Sequence, residues 1–428
     1  MKKRVFLIAA CAGVLIVSAG IIVRYLRPSP KGGGKPQITT VKFGMLPYGD
    51  HTYAIIGVKK GWFRDVGIDL EFRPVKVEDT VPFLRNGSLD VGSCSPGVVI
   101  GAYETNPGVV MFVFGDIFQG YAIMAQPDKG YKSVAEFSKQ GLSPRDALKS
   151  AANQLRGHVF AYPSEAAIKP FIDLVLRKGN LSRQDFHSLV LDDPLTVNAM
   201  RSHQADFEVG GVPSHLVLER EGFKPIITSN DLASAATPSP DSEELASIFA
   251  DGWASTRQYY DSHRDVILRM ASVNFRIMKF IHELPDEALS IHMPYLTEVT
   301  GQSFTAAEGK IIYSSLDPFY TFEQQSQWYN DPKSPYYFAN LNGAIIRNFV
   351  KQGVFQKKPP QVSDVIVAND VYAELETLKA KCDKLLAELD AAGAGQAAAG
   401  ARQYYDTYNY YDAEIAARTA LESIQKQK

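Results

Sequence analysis

The sequence has 428 residues, of which 45% are apolar and 21% charged, so it can build more than one folded unit around an ample core. The formal net charge of −2 and the lack of a Lys/Arg-rich run with interleaved aromatics give no support to nucleic-acid binding. The three cysteines, Cys11, Cys94 and Cys382, are too few and too scattered for a disulfide framework or a zinc site.

The N-terminus carries a targeting or anchoring segment. Met-Lys-Lys-Arg precedes an uncharged run over 5–23, which is close to the minimum length of a membrane-spanning helix. We favour an uncleaved membrane anchor over 1–27, because apolar residues continue past the small residues at 18–20 where a signal peptidase would cut. A cleaved signal peptide, or a lipoprotein signal with Cys11 as the lipidated residue, stays open. Each alternative predicts a periplasmic or cell-surface location, and the Gly-rich segment 28–38 is expected to be a flexible linker.

The stretch 41–96 has the pattern of an α/β unit. Two alternating strands, 41–45 and 68–72, flank a helix that should end at Gly61, and a second helix capped by Asp79 leads to a strand at 89–91. A small-residue loop follows, in which Ser95 and Pro96 form a favourable N-cap and N1 pair with free backbone N–H groups behind them. Ligands of open α/β sheets bind at such carboxyl ends of strands.

An internal repeat indicates two similar lobes. Segments 85–90 (Arg-Asn-Gly-Ser-Leu-Asp) and 201–206 (Arg-Ser-His-Gln-Ala-Asp) lie 116 positions apart, and each joins a helix end to a strand and a small-residue loop. We predict that lobe 1 comprises 39–119 and 226–356, and that lobe 2 comprises 120–225, with a ligand cleft between their loops.

The last part of the chain, 357–428, is predicted to be a helical extension. Its apolar positions follow a 4-3-4-3-4 spacing typical of a short coiled coil: Val371, Leu375, Leu378, Cys382, Leu385 and Leu389. This stripe predicts an oligomer or partner contact, or else a helix packed on its own domain or on the Tyr-rich final helix. Residues 391–401 are predicted to be an Ala/Gly linker.

Two strings of residues point to a known family. GVKKGWFRDVGIDLEFRPV at 57–75 and FLRNGSLDVGSCSP at 83–96 resemble the substrate-binding proteins of nitrate, sulfonate and taurine ABC importers and their thiamine-precursor relatives. The resemblance extends over 40–354 and implies an α/β fold: a type II periplasmic binding protein, a two-lobed clamshell of mixed sheets flanked by helices, here with extra C-terminal helices. It also implies an extracytoplasmic solute-binding component that binds a small organic or nitrogen- or sulfur-containing ligand between the lobes and docks on ABC permease subunits.

The loops expected to face the cleft supply the candidate ligand-binding residues. Ser95 and Ser164 would hold a polar or anionic ligand group, although both residues could equally be ordinary helix caps. The aromatic members would stack on a flat or apolar ligand, or else belong to the core. The full set is Tyr48, Ser93, Ser95, Asp116, Phe118, Tyr162, Ser164, Glu165, Gly211 and Ser214.

The charge of these loops indicates which class of ligand they favour. Asp116, Glu165 and Asp192 are acidic and no loop carries Arg or Lys, whereas a naked anion would favour a guanidinium or ammonium partner. The family commonly has Trp-Glu-Pro where this chain has Gly-Val-Pro at 211–213. Both departures weaken nitrate or taurine as the ligand and favour a neutral, nitrogen-bearing or heterocyclic one.

No motif predicts catalysis, a cofactor or a metal site. The sequence lacks G-x-S-x-G, C-x-x-C, H-E-x-x-H and P-loop patterns, and Cys94 has no base beside it in sequence. The Cys-rich motif of the related thiamine-pyrimidine enzymes is also missing. We therefore predict a binding protein without turnover. The alternative is a sensor or scaffold that uses the same clamshell together with its C-terminal helices.

Overall fold

A computed structural model describes residues 38–234, 239 and 242–427. The predicted anchor over 1–27, the lipidation alternative at Cys11 and positions 28–37 of the predicted linker lie outside these residues. Among the helices that the structure does describe, none combines the length and the apolar character needed to cross a bilayer.

Ten strands in the described part of the chain form two five-stranded mixed sheets. They are β1 (Thr39–Met45), β2 (Ile68–Pro74), β3 (Val91–Cys94), β4 (Val109–Phe114), β5 (Ala122–Ala125), β6 (Val159–Tyr162), β7 (His187–Val190), β8 (Phe207–Gly210), β9 (Lys224–Thr228) and β10 (Gly252–Thr256).

The two sheets have the same topology. The strand order is β2-β1-β3-β10-β4 in the first sheet and β7-β6-β8-β5-β9 in the second. In each sheet, the fourth strand is antiparallel to both of its neighbours. It is also the strand that the chain adds directly after, or directly before, building the other sheet: β10 follows β9 of the second sheet, and β5 follows β4 of the first. We call the part of the molecule built on the first sheet lobe 1 and the part built on the second lobe 2.

The repeat seen in the sequence has a structural cause. The carboxylate of Asp90 accepts a hydrogen bond from the backbone N–H of Lys42 at 2.9 Å, and that of Asp206 accepts one from Val159 at 3.0 Å. The backbone N–H groups of both aspartates in turn donate to the carbonyls of Lys42 and Val159, at 2.9 Å each. Each aspartate thus ties the turn before its strand, β3 or β8, to the neighbouring strand, β1 or β6.

The helices of lobe 1 surround its sheet on both faces. They are α1 (Ala54–Lys60), α2 (Trp62–Asp65), α3 (Val77–Arg85), α4 (Pro96–Gly101), α11 (Arg257–Ser262), α12 (Arg264–Glu283), α13 (Pro285–Thr300), α14 (Ala306–Ile311), α15 (Ser326–Tyr329) and α16 (Phe338–Lys351). A 3₁₀ turn (Glu243–Ser247) and a π-helical turn (Ile312–Leu316) complete the set.

The helices of lobe 2 and of the C-terminal region complete the fold. Lobe 2 contains α5 (Val134–Lys139), α6 (Pro144–Asn153), α7 (Lys169–Gly179), α8 (Asp193–Arg201), α9 (Ser214–Arg220) and α10 (Ser229–Ser234). The C-terminal region contains α17 (Val362–Val365), α18 (Ala368–Ala391), α19 (Gly395–Tyr405) and α20 (Tyr410–Gln427).

Several boundaries follow from local chemistry that the sequence displays. Helix α1 ends at Gly61, whose φ of 79° is the left-handed conformation that glycine adopts at low cost. Strand β4 is apolar and buried at every position, as expected of a strand covered on both faces. Helix α5 begins with a capping box between Ser133 and Glu136.

Three predicted boundaries are wrong. Helix α3 begins at Val77, with Lys76 at the N-cap position, so Asp79 lies in its first turn and does not cap it. Helix α7 begins only at Lys169, with Ile168 at its N-cap position, so Ser164 is not its cap. The predicted linker at 391–401 is largely helical, because it contains the start of α19, where small Ala side chains allow close helix packing.

The C-terminal helices pack on lobe 1 and on one another. The Tyr372 hydroxyl donates to the Phe322 carbonyl at 2.9 Å, and Arg269 of α12 makes a bidentate pair with Asp412 of α20 at 2.8 and 2.9 Å. Four of the six positions of the predicted coiled-coil stripe are buried in these contacts within the chain: Val371, Leu375, Cys382 and Leu389. The intramolecular alternative therefore describes this stripe.

Candidate functional site

A cleft of about 570 Å³ is lined by residues of both lobes. Its volume lies in the range of pockets that enclose small organic molecules. Lobe 1 contributes the end of β1 and the start of α3, and lobe 2 contributes the loop after β6 and the helices α8 and α9. The lining residues include Pro47, Tyr48, Val77, Ser164, Glu165, Asp192, Leu195, Arg201 and Ser214.

A smaller cavity of about 40 Å³, which we call the inner cavity, adjoins the cleft. Tyr48, Val77, Pro163 and Glu165 line both spaces. The inner cavity has an aromatic wall and a polar wall. The aromatic wall is formed by Tyr48, Phe118, Tyr121 and Phe249, and the polar wall by Asp50, His51, Ser95 and Asp251.

The two lobes contact each other at the edges of these spaces. The Tyr48 hydroxyl donates a 3.1 Å hydrogen bond to a Glu165 carboxylate oxygen, and Lys76 forms a 3.6 Å ion pair with Asp192. Deeper in, a Cβ added to Gly97 would lie 3.2 Å from the Cα of Ala167. Backbone therefore meets backbone across the lobe boundary, and the structure shows the clamshell in a closed arrangement.

The structure places most of the predicted site residues at these spaces. Tyr48, Ser95, Phe118, Glu165 and Gly211 line the inner cavity, while Ser164 and Ser214 line the cleft together with Tyr48 and Glu165.

The three remaining predicted residues lie outside both linings. The Ser93 hydroxyl accepts from the backbone N–H of Leu46 at 3.1 Å, between β3 and the end of β1. The Tyr162 hydroxyl donates to Ser188 at 3.0 Å within lobe 2. Asp116 is fully buried near the crossing between the lobes.

The two serines with alternative roles have different surroundings. Ser95 occupies the N-cap position of α4, but its side chain makes no capping hydrogen bond, and its buried Oγ has no partner among the described residues. Ser95 is one of the residues that line the inner cavity. Ser164 is exposed in the loop before α7. Neither serine therefore caps a helix with its side chain.

A cluster of buried acidic side chains lies beside the inner cavity. Asp50, Asp116, Asp251 and Asp317 are each at most 3% exposed, and His51 is 5% exposed. Among the described residues, these carboxylates make one ion-pair contact, which joins Asp50 Oδ2 to His51 Nε2 at 3.6 Å. The sequence analysis missed this cluster, except for Asp116, because its members lie up to 267 positions apart.

Burial and mutual repulsion control the protonation of this cluster. Burial, followed by the charges of Asp50 and Asp317, raises the pKa of Asp116 well above its usual value. Burial, followed by the charges of Asp50 and Asp116, does the same for the pKa of Asp251. Burial lowers the pKa of His51, against the opposing effect of Asp50, so the imidazole is favoured in its neutral, electron-pair-donating form.

Replacing Asp317 by asparagine should stabilise the protein at neutral pH by about 1–3 kcal/mol, because it removes a carboxyl group whose ionisation is opposed by burial and by the charge of Asp50. Burial and Asp50 raise the pKa of Asp317 above 3.8, so the folded state binds more protons than the unfolded chain and loses stability as pH rises. The advantage of Asp317→Asn should therefore grow as the pH rises above about 4, where the carboxyl ionises in the unfolded chain but is hindered from doing so in the folded protein. Urea unfolding in EDTA at several pH values measures it. The exposed Asp261→Asn is the matched control, and equal pH profiles of the two variants would contradict the expectation.

Three groups at the inner cavity have metal-ligand chemistry. One ligand atom from each of Asp50, His51 and Asp251 lies within 4.8 Å of the others. The sequence showed no metal-binding spacing because Asp251 is 200 positions beyond His51. The adjacent Asp-His pair after a strand was the one local signal that could have drawn attention to this point.

A family model decides the evolutionary relationship of the chain. The model described as the NMT1-like family matches residues 34–260, more than half of the sequence. The chain belongs to the NMT1-like family. This confirms the resemblance derived from the strings at 57–75 and 83–96. A search of curated proteins found no significant match.

Solved structures with the same fold include three binding proteins. The periplasmic aliphatic sulphonate binding protein SsuA from Escherichia coli is 14% identical, with 78% of this chain and 99% of that chain covered and a TM-score of 0.54. The periplasmic nitrate-binding protein NrtA from Synechocystis PCC 6803 is 13% identical, with 80% and 89% covered and a TM-score of 0.55. The ligand binding component of an ABC-type import system from Staphylococcus aureus is 13% identical, with 78% and 98% covered and a TM-score of 0.56. The predicted two-lobed fold is confirmed.

The thiol in the candidate ligand loop of this NMT1-like protein is poorly suited to nucleophilic chemistry. Cys94 is fully buried at the end of β3, and burial raises its pKa to about 12. At neutral pH the thiol is therefore protonated. Its environment fits a packing role.

Proposed function

We propose that this NMT1-like protein is the extracytoplasmic solute-binding component of an ABC importer. The observation that carries the proposal is the cleft between two lobes of equal topology, lined from both sides and large enough for a small molecule. The E. coli and Synechocystis proteins with this fold are periplasmic binding proteins for aliphatic sulphonates and for nitrate. Docking on permease subunits, and attachment to the membrane through residues 1–27, belong to the same proposal.

The charges at the cleft favour a nitrogen-bearing organic ligand over a naked anion. The two cations in the cleft lining are both engaged: Lys76 with Asp192 at 3.6 Å, and Arg201 with Glu221 at 2.5 Å. The cleft lining also holds the acidic side chains of Glu78 and Glu165. Carboxylates repel nitrate and sulfonate groups and accept hydrogen bonds from amines and protonated heterocycles.

A ligand screen tests the binding role. Native mass spectrometry of gently purified protein should reveal a co-purifying small molecule, or else one compound among sulfonates, nitrate, pyrimidines and amines should raise the melting temperature by several degrees. Cells that lack the gene should then lose uptake of that compound. A protein that binds none of them would favour the sensor or scaffold alternative, and conversion of the ligand during incubation would show an enzyme.

A matched pair of variants locates the ligand. Leu195 lies in the cleft wall with 48% of its surface exposed, and Leu284 is 49% exposed and lies outside the linings of the cleft and the inner cavity. Leu195→Ala should reduce the ligand-induced thermal shift, because apolar contact with the ligand is lost while the core is untouched. Leu284→Ala should leave the shift unchanged. Equal losses in both variants would place the ligand elsewhere.

Replacing Gly97 by valine should weaken ligand binding by at least about tenfold, or 1.4 kcal/mol. The new side chain would meet the backbone of Ala167 across the lobe boundary and hold the closed lobes apart. Isothermal titration with the identified ligand and small-angle X-ray scattering measure the two effects. Gly343→Val is the control, because its side chain would meet only the end of Arg347. Unchanged affinity in Gly97→Val would show that closure at this point is not needed.

A further inference from the structure

We propose that Asp50, His51 and Asp251 bind one divalent metal ion at the inner cavity. The site belongs to lobe 1 alone: Asp50 and His51 follow β1, and Asp251 precedes β10. It goes beyond the proposed solute-binding role and does not depend on it.

The backbone around the three residues is held in place by hydrogen bonds. The N–H groups of His51 and Thr52 donate to the Tyr48 carbonyl at 3.2 and 3.1 Å, which closes the turn that carries Asp50 and His51. The Asp251 carbonyl accepts from the N–H of Gly115 at 2.9 Å. Preorganised ligands of this kind lose little conformational entropy when an ion binds.

The donor atoms are buried and lack partners. Asp50 Oδ1 and His51 Nδ1 have no hydrogen-bond partner among the described residues, and the carboxyl oxygens of Asp251 have none besides the neighbouring Asp50 carboxyl. The Oγ of Ser95, a residue that also lines this cavity, likewise has no hydrogen-bond partner among the described residues. Leaving so many buried polar atoms unsatisfied is costly, and a single cation at this point would satisfy several of them at once.

The charge balance points in the same direction. Among the described residues no Lys or Arg forms an ion pair with Asp50, Asp116, Asp251 or Asp317, and the ion-pair contact to this cluster is that of His51 with Asp50. Asp116 and Asp317 lie near enough to Asp50 to interact with its charge. Buried charges in proteins are paired or coordinate metals, so the cluster lacks a positive partner that a divalent ion would supply.

The size of the cavity distinguishes an ion from an organic cation. A volume of about 40 Å³ holds a metal ion with one or two waters, whereas an organic ammonium with several carbons needs more room. The donor set then selects the metal. Two carboxylates with one imidazole suit Mn²⁺ or Zn²⁺, while Ca²⁺ and Mg²⁺ prefer oxygen-only shells and Cu⁺ prefers sulfur.

The test is titration of the full-length protein with Mn²⁺ and with Zn²⁺ after EDTA treatment and dialysis. Isothermal titration calorimetry should show one site per chain with a micromolar or lower Kd, native mass spectrometry should show one added metal ion, and the melting temperature should rise by several degrees. Wild-type protein that is folded by circular dichroism and binds neither ion would overturn the proposal.

Variants assign the ligands. His51→Gln and Asp251→Asn should each weaken metal binding at least 100-fold, whereas Asp317→Asn, which removes a buried carboxylate outside the cavity wall, should weaken it less than tenfold. If His51→Gln does not fold, Asp50→Asn takes its place. Wild-type affinity in all the ligand variants would overturn the assignment.

An organic cation is the competing occupant. If tetramethylammonium or choline stabilises the EDTA-treated protein and the metals do not, the site binds an organic ammonium and the proposal is wrong. Because metal titration and the organic-ligand screen are separate measurements, failure of one leaves the other result intact.

Discussion

A chain that ends at Gln356 is expected to be unfolded or insoluble. The deleted part supplies six side chains that are at most 2% exposed in the contact with lobe 1: Val365, Ile366, Val367, Val371, Tyr372 and Leu375. Burial of each large apolar side chain contributes about 1.5–3 kcal/mol, so their combined loss rivals the 5–15 kcal/mol stability of a typical domain. The N–H of Val367 also donates to the carbonyl of Met111 in β4 at 2.9 Å, so the deletion would leave that carbonyl without its partner on the open edge of the sheet.

Far-ultraviolet and near-ultraviolet circular dichroism of the truncated protein measure this effect. A single substitution weakens the same contact by a smaller amount. Leu375→Ala should lower the free energy of unfolding by about 2–5 kcal/mol, as for other fully buried leucines. Lys384→Ala, on the exposed side of the same helix, should change it by less than about 0.5 kcal/mol. A truncated chain with native near-ultraviolet signal and normal ligand binding would contradict the expectation.

This result also bears on how transport and scaffold roles can be separated. Removal of residues 357–428 would be the natural way to test whether the C-terminal helices recruit a partner. Because these helices complete the core of lobe 1, the deletion would abolish both roles together. Substitution of exposed residues on α18 or α20 would test partner binding without removing the core contacts of lobe 1.

Replacing Gly252 by alanine is expected to destabilise the protein by more than about 4 kcal/mol, a size that single substitutions seldom reach. The added Cβ would lie 1.9 Å from the carbonyl oxygen of Val113 and 2.8 Å from the Cα of Phe114. Both atoms belong to the backbone of β4, which pairs with β10 at a point where the register shifts between Trp253 and Ala254. The edge strand β4 would have to separate from β10 at this end of the pair.

Urea unfolding measures the effect, and another glycine provides the control. A Cβ at Gly400, inside α19, would have no atom within 4 Å, so Gly400→Ala should stabilise the protein by about 0.5–1 kcal/mol through the better helix propensity of alanine. The two Gly→Ala changes thus have opposite expected signs. A Gly252→Ala protein of wild-type stability would mean that β10 and β4 pair differently in solution.

Close agreement between sequence and structure occurs where a short segment carries its own determinant. The stop of α1 at Gly61 needs only a residue that tolerates positive φ, and β4 needs only a continuous apolar run. The repeat was visible because Asp90 and Asp206 perform the same backbone-tethering task, which requires the same residue at the same place in each lobe.

Predictions went wrong where more distant contacts outweigh local preference. Ser164 with its neighbours looked like a good helix start, yet the chain first continues along the cleft wall and α7 begins at Lys169. Residues 391–401 looked like a linker, yet Ala398 and Ala401 are fully buried in a helix against the other C-terminal helices. Alanine occurs readily in linkers and in helices, so packing against the neighbouring helices decides that this segment is helical.

The sequence by itself determined the α/β class and the two-lobed family, because periodicity, capping chemistry and a repeated tether are local properties. The tertiary structure alone decided which side chains share one space. Asp50, His51 and Asp251 meet because β10 returns to lobe 1 after the chain has built lobe 2. A buried cluster of carboxylates assembled over 200 positions leaves no pattern in any short window, because its chemistry arises only when burial removes water from all of its members together.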